Sequence, residues 1–536
     1  MTHRTVAAFA LLPLSLAACG TTAPSTGPAP TDTLRIGGPP AGAGRIERLV
    51  YQPVSPALPA IPSANGALAI RVIEPTASTQ RPRTERTIIY GSVGTGQAAL
   101  EINGTAVPVA PNGAFIAYLP TPQDGAWRLR AQRGGEEVAH TLEYARPATG
   151  GSGSGAASQN AVYPAPRAGT VTGGADTLAT GSDAIYARPT PTGTYRWFFP
   201  RGTRLSVLER RGDQYRVRLD AGTEAWVDAR NLEVAEAGTP PAPGAVTAST
   251  VRAAGWTDLR VRAGGRPFLV EVTETGAEVT VYGATEAAIN GGAQRVAAAA
   301  NGSARIPVST GGMPWGYKAW YEANGDLVVR VRQAPAIDAA NPLRGRRIVI
   351  DPGHPPAGAT GPTGFYEGDA NLAIALPLAE KLRARGAEVI LTRTGREGLV
   401  SSTNSAQELG ARVQLAVARD ADLMVSVHNN AFGEGQDPFQ MHGTSVYYFH
   451  PMSAALAQSL NQSILGVTRI RDIGARVSNL ALARPTWLPT ALTESLFMPI
   501  PEQEAALRDP AFVDRLADAH VAGIEAFLRA RAGGAR

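Results

Sequence analysis

An apolar run that stops at an imidazole constrains this chain more than any other stretch. Residues 348–367 read IVIDPGHPPAGATGPTGFYE. Ile348-Val349-Ile350 has the make-up of a buried strand, Asp351-Pro352-Gly353-His354 ends it, and a Gly/Pro loop leads to Glu367. Side chains at the carboxyl ends of strands in an α/β sheet converge outside the core, where ligands and metals bind. The pattern recurs: Asp422-Leu423-Met424-Val425-Ser426-Val427 is a second apolar run, and it stops at His428. Two His and one Glu make a three-ligand set with a fourth position open, as in catalytic rather than structural zinc sites. A third, weakly apolar run, Thr490 to Thr493, ends at Glu494, a candidate general base.

These landmarks read DPGH, GFYE, SVHNN and TESLF in order. On them, the segment from about Arg344 to Arg531 resembles zinc-dependent N-acetylmuramoyl-L-alanine amidases, peptidoglycan hydrolases marked by D-x-G-H, G-x-x-E, S-x-H-x-N and a late Glu. The resemblance implies one Zn2+ in the catalytic domain, held by His354, Glu367 and His428, with Glu494 as acid-base catalyst. The implied reaction is hydrolysis of the amide between N-acetylmuramic acid and L-alanine, in wall remodelling or daughter-cell separation. Asn430 matches the Asn of the family pattern and would orient the loop or a substrate carbonyl. Two departures bear on substrate fit: Pro355-Pro356 stands where the family usually has Gly-Gly, and Glu494-Ser495-Leu496-Phe497-Met498-Pro499-Ile500 replaces Glu-x-Gly-Phe-x-Ser-Asn. Between Asn430 and Gly443 there is no room for the long blocking helix of some relatives. Two other readings stay open: a zinc peptidase or carboxypeptidase acting on stem peptides, and a catalytically inactive wall-binding scaffold.

The spacing across 344–532 predicts a helix capped by Asp369 and running through Arg385, kinked or split at Pro377. A strand at Glu388–Thr392, a helix over about Ala406 to Ala418, the His428 strand, a strand at Gly443–Phe449, a helix at Met452–Leu465 and a closing helix at Asp509–Arg529 follow. This order implies a mostly parallel sheet with helices on both faces. His442 and His450 read as surface residues, and Glu502 and Glu504 as solvated carboxylates at a helix start. A piece beginning near Ala340 is expected to bury its own core.

Upstream, the chain reads as delivery equipment. With 42 Pro and 59 Gly in 536 residues, several domains with short strands and many turns are expected. Residues 1–18 have the basic start, apolar run and small residues of a secretory signal, too short to span a membrane. Leu16-Ala17-Ala18-Cys19 resembles the bacterial lipobox, and Cys19 is the one cysteine of the chain. That implies an exported lipoprotein anchored at Cys19 in the cell envelope, at the periplasmic face or outer membrane.

Residues 19–65 read as a disordered Pro/Ala-rich tether. Three small all-β modules follow: 66–147, immunoglobulin-like; 169–235, similar to a bacterial Src-homology-3-like barrel; and 251–335, similar to wall-targeting domains. Linkers span 148–168 and 236–250. Tyr195, Trp197, Phe198, Trp315, Tyr317, Trp320 and Tyr321 are candidates for stacking on sugar rings. Fifty basic and 45 acidic side chains leave a formal charge of +5, too small to imply a nucleic-acid partner. The expected partners are glycan strands and stem peptides of peptidoglycan, with the protein a monomer.

Overall fold

The computed structural model describes residues 44–145, 160–173, 184–235, 240–400 and 404–532. The expected leader, Cys19 and the first part of the tether lie outside these residues. No helix among the described residues is long and apolar enough to cross a membrane.

The chain is multidomain, and among the described residues upstream of Ala340 the regular elements are strands, apart from two short 3-10 turns. Between Arg71 and Glu143 a three-stranded sheet (71–74, 86–92, 114–120) and a four-stranded one (105–107, 99–102, 126–133, 136–143) close on Ile89, Leu100, Phe115 and Trp127, all fully buried. Asn103-Gly104 makes the hairpin its sequence announces: both residues have positive φ, and Ile102 pairs with Thr105. A seven-stranded sheet follows in the order 197–200, 184–188, 224–228, 214–218, 204–211, 161–171, 232–234. Then come a six-stranded sheet (294–297, 284–289, 244–253, 256–261, 327–332, 316–321) and a three-stranded one (268–273, 276–282, 303–309) around a shared core.

Three stretches differ from the sequence reading. Residues 44–65, assigned to the tether, lie against folded structure: Ile46, Ser55 and Leu58 are buried. Proline-rich composition disfavours a helix or central strand but not an extended segment laid on a surface. The linker 148–168 contains the start of strand Ala161–Val171, in which Arg167 pairs with Val207 and Val162 with Glu209. Pro164 and Pro166, which lack a donor, fall in the register break between those pairs. The linker 236–250 likewise gives way to strand Gly244–Ala253, which pairs on both edges.

The amidase-like third is an α/β unit. Its elements are β1 (Arg347–Pro352), α1 (Glu367–Ala384), β2 (Glu388–Leu391), α2 (Ser405–Ala418), β3 (Leu423–Asn430), β4 (Thr444–Tyr448), α3 (Ala454–Thr468), β5 (Asp472–Val477), β6 (Thr490–Phe497), α4 (Pro501–Leu507) and α5 (Pro510–Ala532). The sheet order is β2-β1-β3-β6-β4-β5. The first four strands are parallel, β4 runs antiparallel to β6, and β5 follows β4.

Strand alternation divides the core. Ile348, Ile350, Leu423, Val425 and Val427 face α1, α3 and α5, while Val349 and Met424 face α2, Leu482 and Leu488 on the other side. Gly523 of α5 crosses α3 so closely that a Cβ there would lie 2.7 Å from the Leu460 Cα. The first helix begins at Glu367 rather than being capped by Asp369, whose carboxylate instead pairs with Arg396 at 2.8–2.9 Å. It runs on through Pro377, anchored by Ile374, Leu378 and Leu382 in the core.

Candidate metal and catalytic site

Parallel pairing of the central strands brings the expected residues together. In β1 and β3, Pro352 is opposite Val427, so both chains leave the sheet at the same edge, one toward His354 and the other through His428. The two imidazole rings meet edge to face with centroids 4.9 Å apart. Glu367, the first residue of α1, reaches both: its Oε2 lies 3.0 Å from His354 Nε2 and its Oε1 3.2 Å from His428 Nδ1. Donor atoms of all three residues lie within 4.8 Å of one another. His354 turns its Nε2 inward because Nδ1 faces the Pro356 carbonyl at 3.2 Å. Gly353 makes room: a Cβ there would meet the His428 ring at 2.2–2.6 Å.

Glu367 is held from several sides. Its carboxylate accepts from Ala359 N (2.9 Å), Asn429 N (3.3 Å) and Asn371 Nδ2 (3.3 Å), while Asn429 Nδ2 donates to Asn371 Oδ1 at 2.9 Å. Glu494 stands on β6 directly opposite His428 in the parallel register. Its Oε2 is shut off from solvent and has no hydrogen-bond partner among the described residues. Asn430 turns its Oδ1 to its own neighbour, accepting from Ala431 N at 2.8 Å.

The N-acetylmuramoyl-L-alanine amidase family profile matches residues 348–526, the stretch that carries His354, Glu367, His428 and Glu494. The probable cell wall amidase LytH of Staphylococcus aureus is 30% identical over 221 residues, 40% of this chain and 68% of LytH. The chain belongs to the N-acetylmuramoyl-L-alanine amidase family. It is thus a peptidoglycan amidase, an enzyme whose β-rich upstream region lies outside the family match. The amidase LytC of Bacillus subtilis is also 30% identical, over 195 residues that make up 35% of this chain and only 37% of LytC. Among solved structures, the catalytic domain of the amidase CwlV from Bacillus (Paenibacillus) polymyxa var. colistinus is 32% identical, covering 34% of this chain and 98% of its own, with a TM-score of 0.31.

Electrostatics in this amidase separate the carboxylates. Burial pushes Glu367 up, but the neighbouring His354 charge and hydrogen bonds from both imidazoles outweigh it, and the group titrates well below the usual range. His354 is raised because the Glu367 charge overcomes burial, whereas for His428 burial prevails and its pKa falls. Glu494 is driven the other way, well above the usual range, by burial and by repulsion from Glu367. One carboxylate is thus kept charged and the other kept basic, a division that favours distinct roles.

Sequence reasoning missed the arginines behind the site. Arg412, 1% exposed, donates to the His354 and Pro355 carbonyls at 3.0 and 2.8 Å and pairs with Asp351 (3.2 Å) and Glu408 (2.9 Å). Arg393 donates to the carbonyls of Pro352 and Gly353 at 2.8 Å and of Gly368 at 2.7 Å. Asp351, fully buried, also accepts from Thr392 and Ser426 at 2.5 Å. Burial pushes it up, yet Arg412 and these hydroxyls hold it below the usual range. The signal in sequence was faint: Arg412 lies on an amphipathic helix that ordinarily turns its charges to water.

Other residues read as solvated are buried. Glu502 and Glu504 are 2% and 0% exposed. His442 and His450 are also covered, His450 bonding the Arg484 carbonyl at 2.8 Å and packing against Phe198, Phe449 and Tyr317. That packing takes up several aromatics proposed for sugar stacking. Phe198 faces Phe449, Tyr195 is stacked on Tyr186 with Arg188 and Arg484 close to its ring, and Trp197, Trp315 and Tyr317 are buried.

Proposed function

We propose that His354, Glu367 and His428 hold one Zn2+ and that Glu494 is the acid-base catalyst for hydrolysis of the N-acetylmuramic acid to L-alanine amide. The observation that carries this reading is the convergence of two imidazole nitrogens and a carboxylate within 4.8 Å, with Glu494 in register beside His428. The donor set fits zinc, which takes nitrogen and carboxylate oxygen in three-ligand catalytic sites. The unpartnered Glu494 Oε2 fits a group whose partner is a reacting water. When bound, zinc supplies Lewis acidity that polarises a carbonyl and lowers the pKa of water.

The chain's own residues do the rest. Glu494, with its raised pKa, takes the proton of the attacking water and returns it to the departing L-alanine amine as the C–N bond breaks. Glu367 stays ionised and tied to Asn371 and to the Ala359 and Asn429 amides, so the donor set keeps its geometry. Mass spectrometry of digested purified peptidoglycan tests the bond: peptides with new alanine N-termini are expected. Release of D-alanine instead would favour a carboxypeptidase, and an intact wall a scaffold.

The same reading extends to the envelope. Acylation at Cys19 would anchor an exported enzyme, and the immunoglobulin-like, Src-homology-3-like and wall-targeting modules would face peptidoglycan. Stacking on sugars falls to aromatics outside the covered set, Trp320 above all.

A further inference from the structure

We propose that residues Tyr51–Leu58, almost 300 positions upstream of β1, are positioning residues of the amidase site and act through the short helix α4. The proposal rests on the amidase reading above. Three consecutive polar residues follow Pro501 in the first turn of α4, and Glu502, Gln503 and Glu504 are 2%, 0% and 0% exposed. Between them they reach three pieces of chain: the segment at Tyr51 and Ser55, the end of β6, and the loop before α1.

Glu502 accepts from the Tyr51 hydroxyl with one oxygen and from Ser55 N (2.8 Å) with the other. Gln503 donates to Ser55 Oγ at 2.8 Å, and its carbonyl accepts from Phe497 N at 2.7 Å, three residues past Glu494. Glu504 accepts from Thr363 Oγ1 (2.7 Å) and Phe365 N (3.2 Å), two residues before Glu367. Gly361 lies so near that a Cβ there would be 2.6 Å from the Glu504 carboxyl carbon. One helical turn therefore joins the upstream segment to the end of the Glu494 strand and to the loop that delivers Glu367.

Leu58 secures the segment by entering the core that also contains Ile374 and Leu378 of α1. Buried polar groups need their partners: without the Tyr51 hydroxyl a Glu502 oxygen loses its donor, and without the Ser55 hydroxyl the Gln503 amide loses its acceptor. The helix then shifts to find another, and both catalytic carboxylates shift with it. Displacements of a fraction of an ångström suffice to slow a reaction whose groups must be held in register.

The test uses the full chain carrying Tyr51→Phe or Ser55→Ala, assayed on a soluble muropeptide below the melting temperature. The expected result is a kcat per folded molecule reduced roughly tenfold, with KM nearly unchanged and zinc lost faster to a chelator. Arg48→Ala should leave all three parameters as in the wild type, because Arg48 bonds the Gly96 carbonyl at 2.8 Å and not α4. Should Tyr51→Phe fail to fold, Ser55→Ala, a milder loss at a contact with the same helix, decides. A lowered melting temperature with unchanged kcat and zinc retention would overturn the proposal and leave a merely structural segment. A wild type that releases no alanine-ended peptide would overturn the amidase reading, and this inference with it.

Discussion

His428 and Glu494 stand opposite each other on the adjacent parallel strands β3 and β6. The backbone ladder thus sets the spacing between a proposed metal ligand and the proposed base. Rigid strands hold such a relationship better than loops do. The proposed ligands outside the strands need more support: Arg412 and Arg393 clamp the His354 turn, and Asn371 and Asn429 hold Glu367 at the start of α1.

Gly353→Ala should cost metal affinity and activity together. A methyl group at this position would overlap the His428 ring, which lies 2.2–2.6 Å from the ideal Cβ, so the imidazole must turn away. Losses of roughly 10- to 100-fold are expected, of the order seen when a ligand's orientation is disturbed. Zinc content and turnover measured on the same sample check it; full zinc with full activity would contradict the crowding argument.

Arg412→Met should destabilise strongly. The change leaves the carboxylates of Asp351 and Glu408, both fully buried, without their common cation. Removing one partner from a buried ionic cluster costs about 3–5 kcal/mol. Denaturant unfolding followed by tryptophan fluorescence measures it, and an unchanged midpoint would show that the cluster is not held as described.

Acid should weaken the fold between pH 6.5 and 4. Burial lowers both His450 and His520 to about 4, against 6.5 for the free side chain. In that window the unfolded chain binds protons that the folded one refuses, so this contribution is full above 6.5 and lost as pH falls toward 4. At about 1.4 kcal/mol per pKa unit, each histidine accounts for roughly 3 kcal/mol. Melting temperatures across this range should fall less steeply for His450→Gln than for the wild type. Equal slopes would show that His450 does not titrate as argued.

A piece beginning at Ala340 should fold poorly, against the expectation that the amidase third buries its own core. Trp315, from the preceding sheet, is fully buried, donates to the Asp422 carbonyl at 2.5 Å and packs 5.4 Å from Phe527 of α5. Leu58 enters the same core, and Ile88, Tyr90 and Ile116 cover Phe497 and Ile500. Low soluble yield or a broad melt is expected by comparison with the full chain. A sharp melt at the full-chain temperature would contradict it.

What sequence revealed and what it hid follow from the range of the interactions. The apolar runs that lead to His354 and His428 are buried on both faces in the parallel part of the sheet, and such runs are conspicuous; the run before Glu494 is equally buried but, with Thr490 and Thr493, less conspicuous. Edge strand β5 buries none of its residues fully and carries Asp472 and Arg476, so no apolar pattern marks it. Glu502, Glu504 and Arg412 look like surface residues because their partners lie far along the chain. The departure at Ile500 also becomes intelligible, since an apolar residue there packs against Ile88, Tyr90 and Ile116.

Metal binding and proton transfer fall to different side chains in the proposed site, and the Glu494→Gln protein measures both. Gln keeps the shape of Glu but cannot accept the proton, whereas the three proposed ligands are untouched. Zinc per molecule should stay near that of the wild type, while turnover on purified peptidoglycan falls by roughly two orders of magnitude or more. Chelation should silence the wild type and added zinc restore it. A Gln variant that purifies without zinc would make Glu494 a ligand and leave Glu367 needing another role, and one that keeps both zinc and full activity would contradict the proposed chemistry.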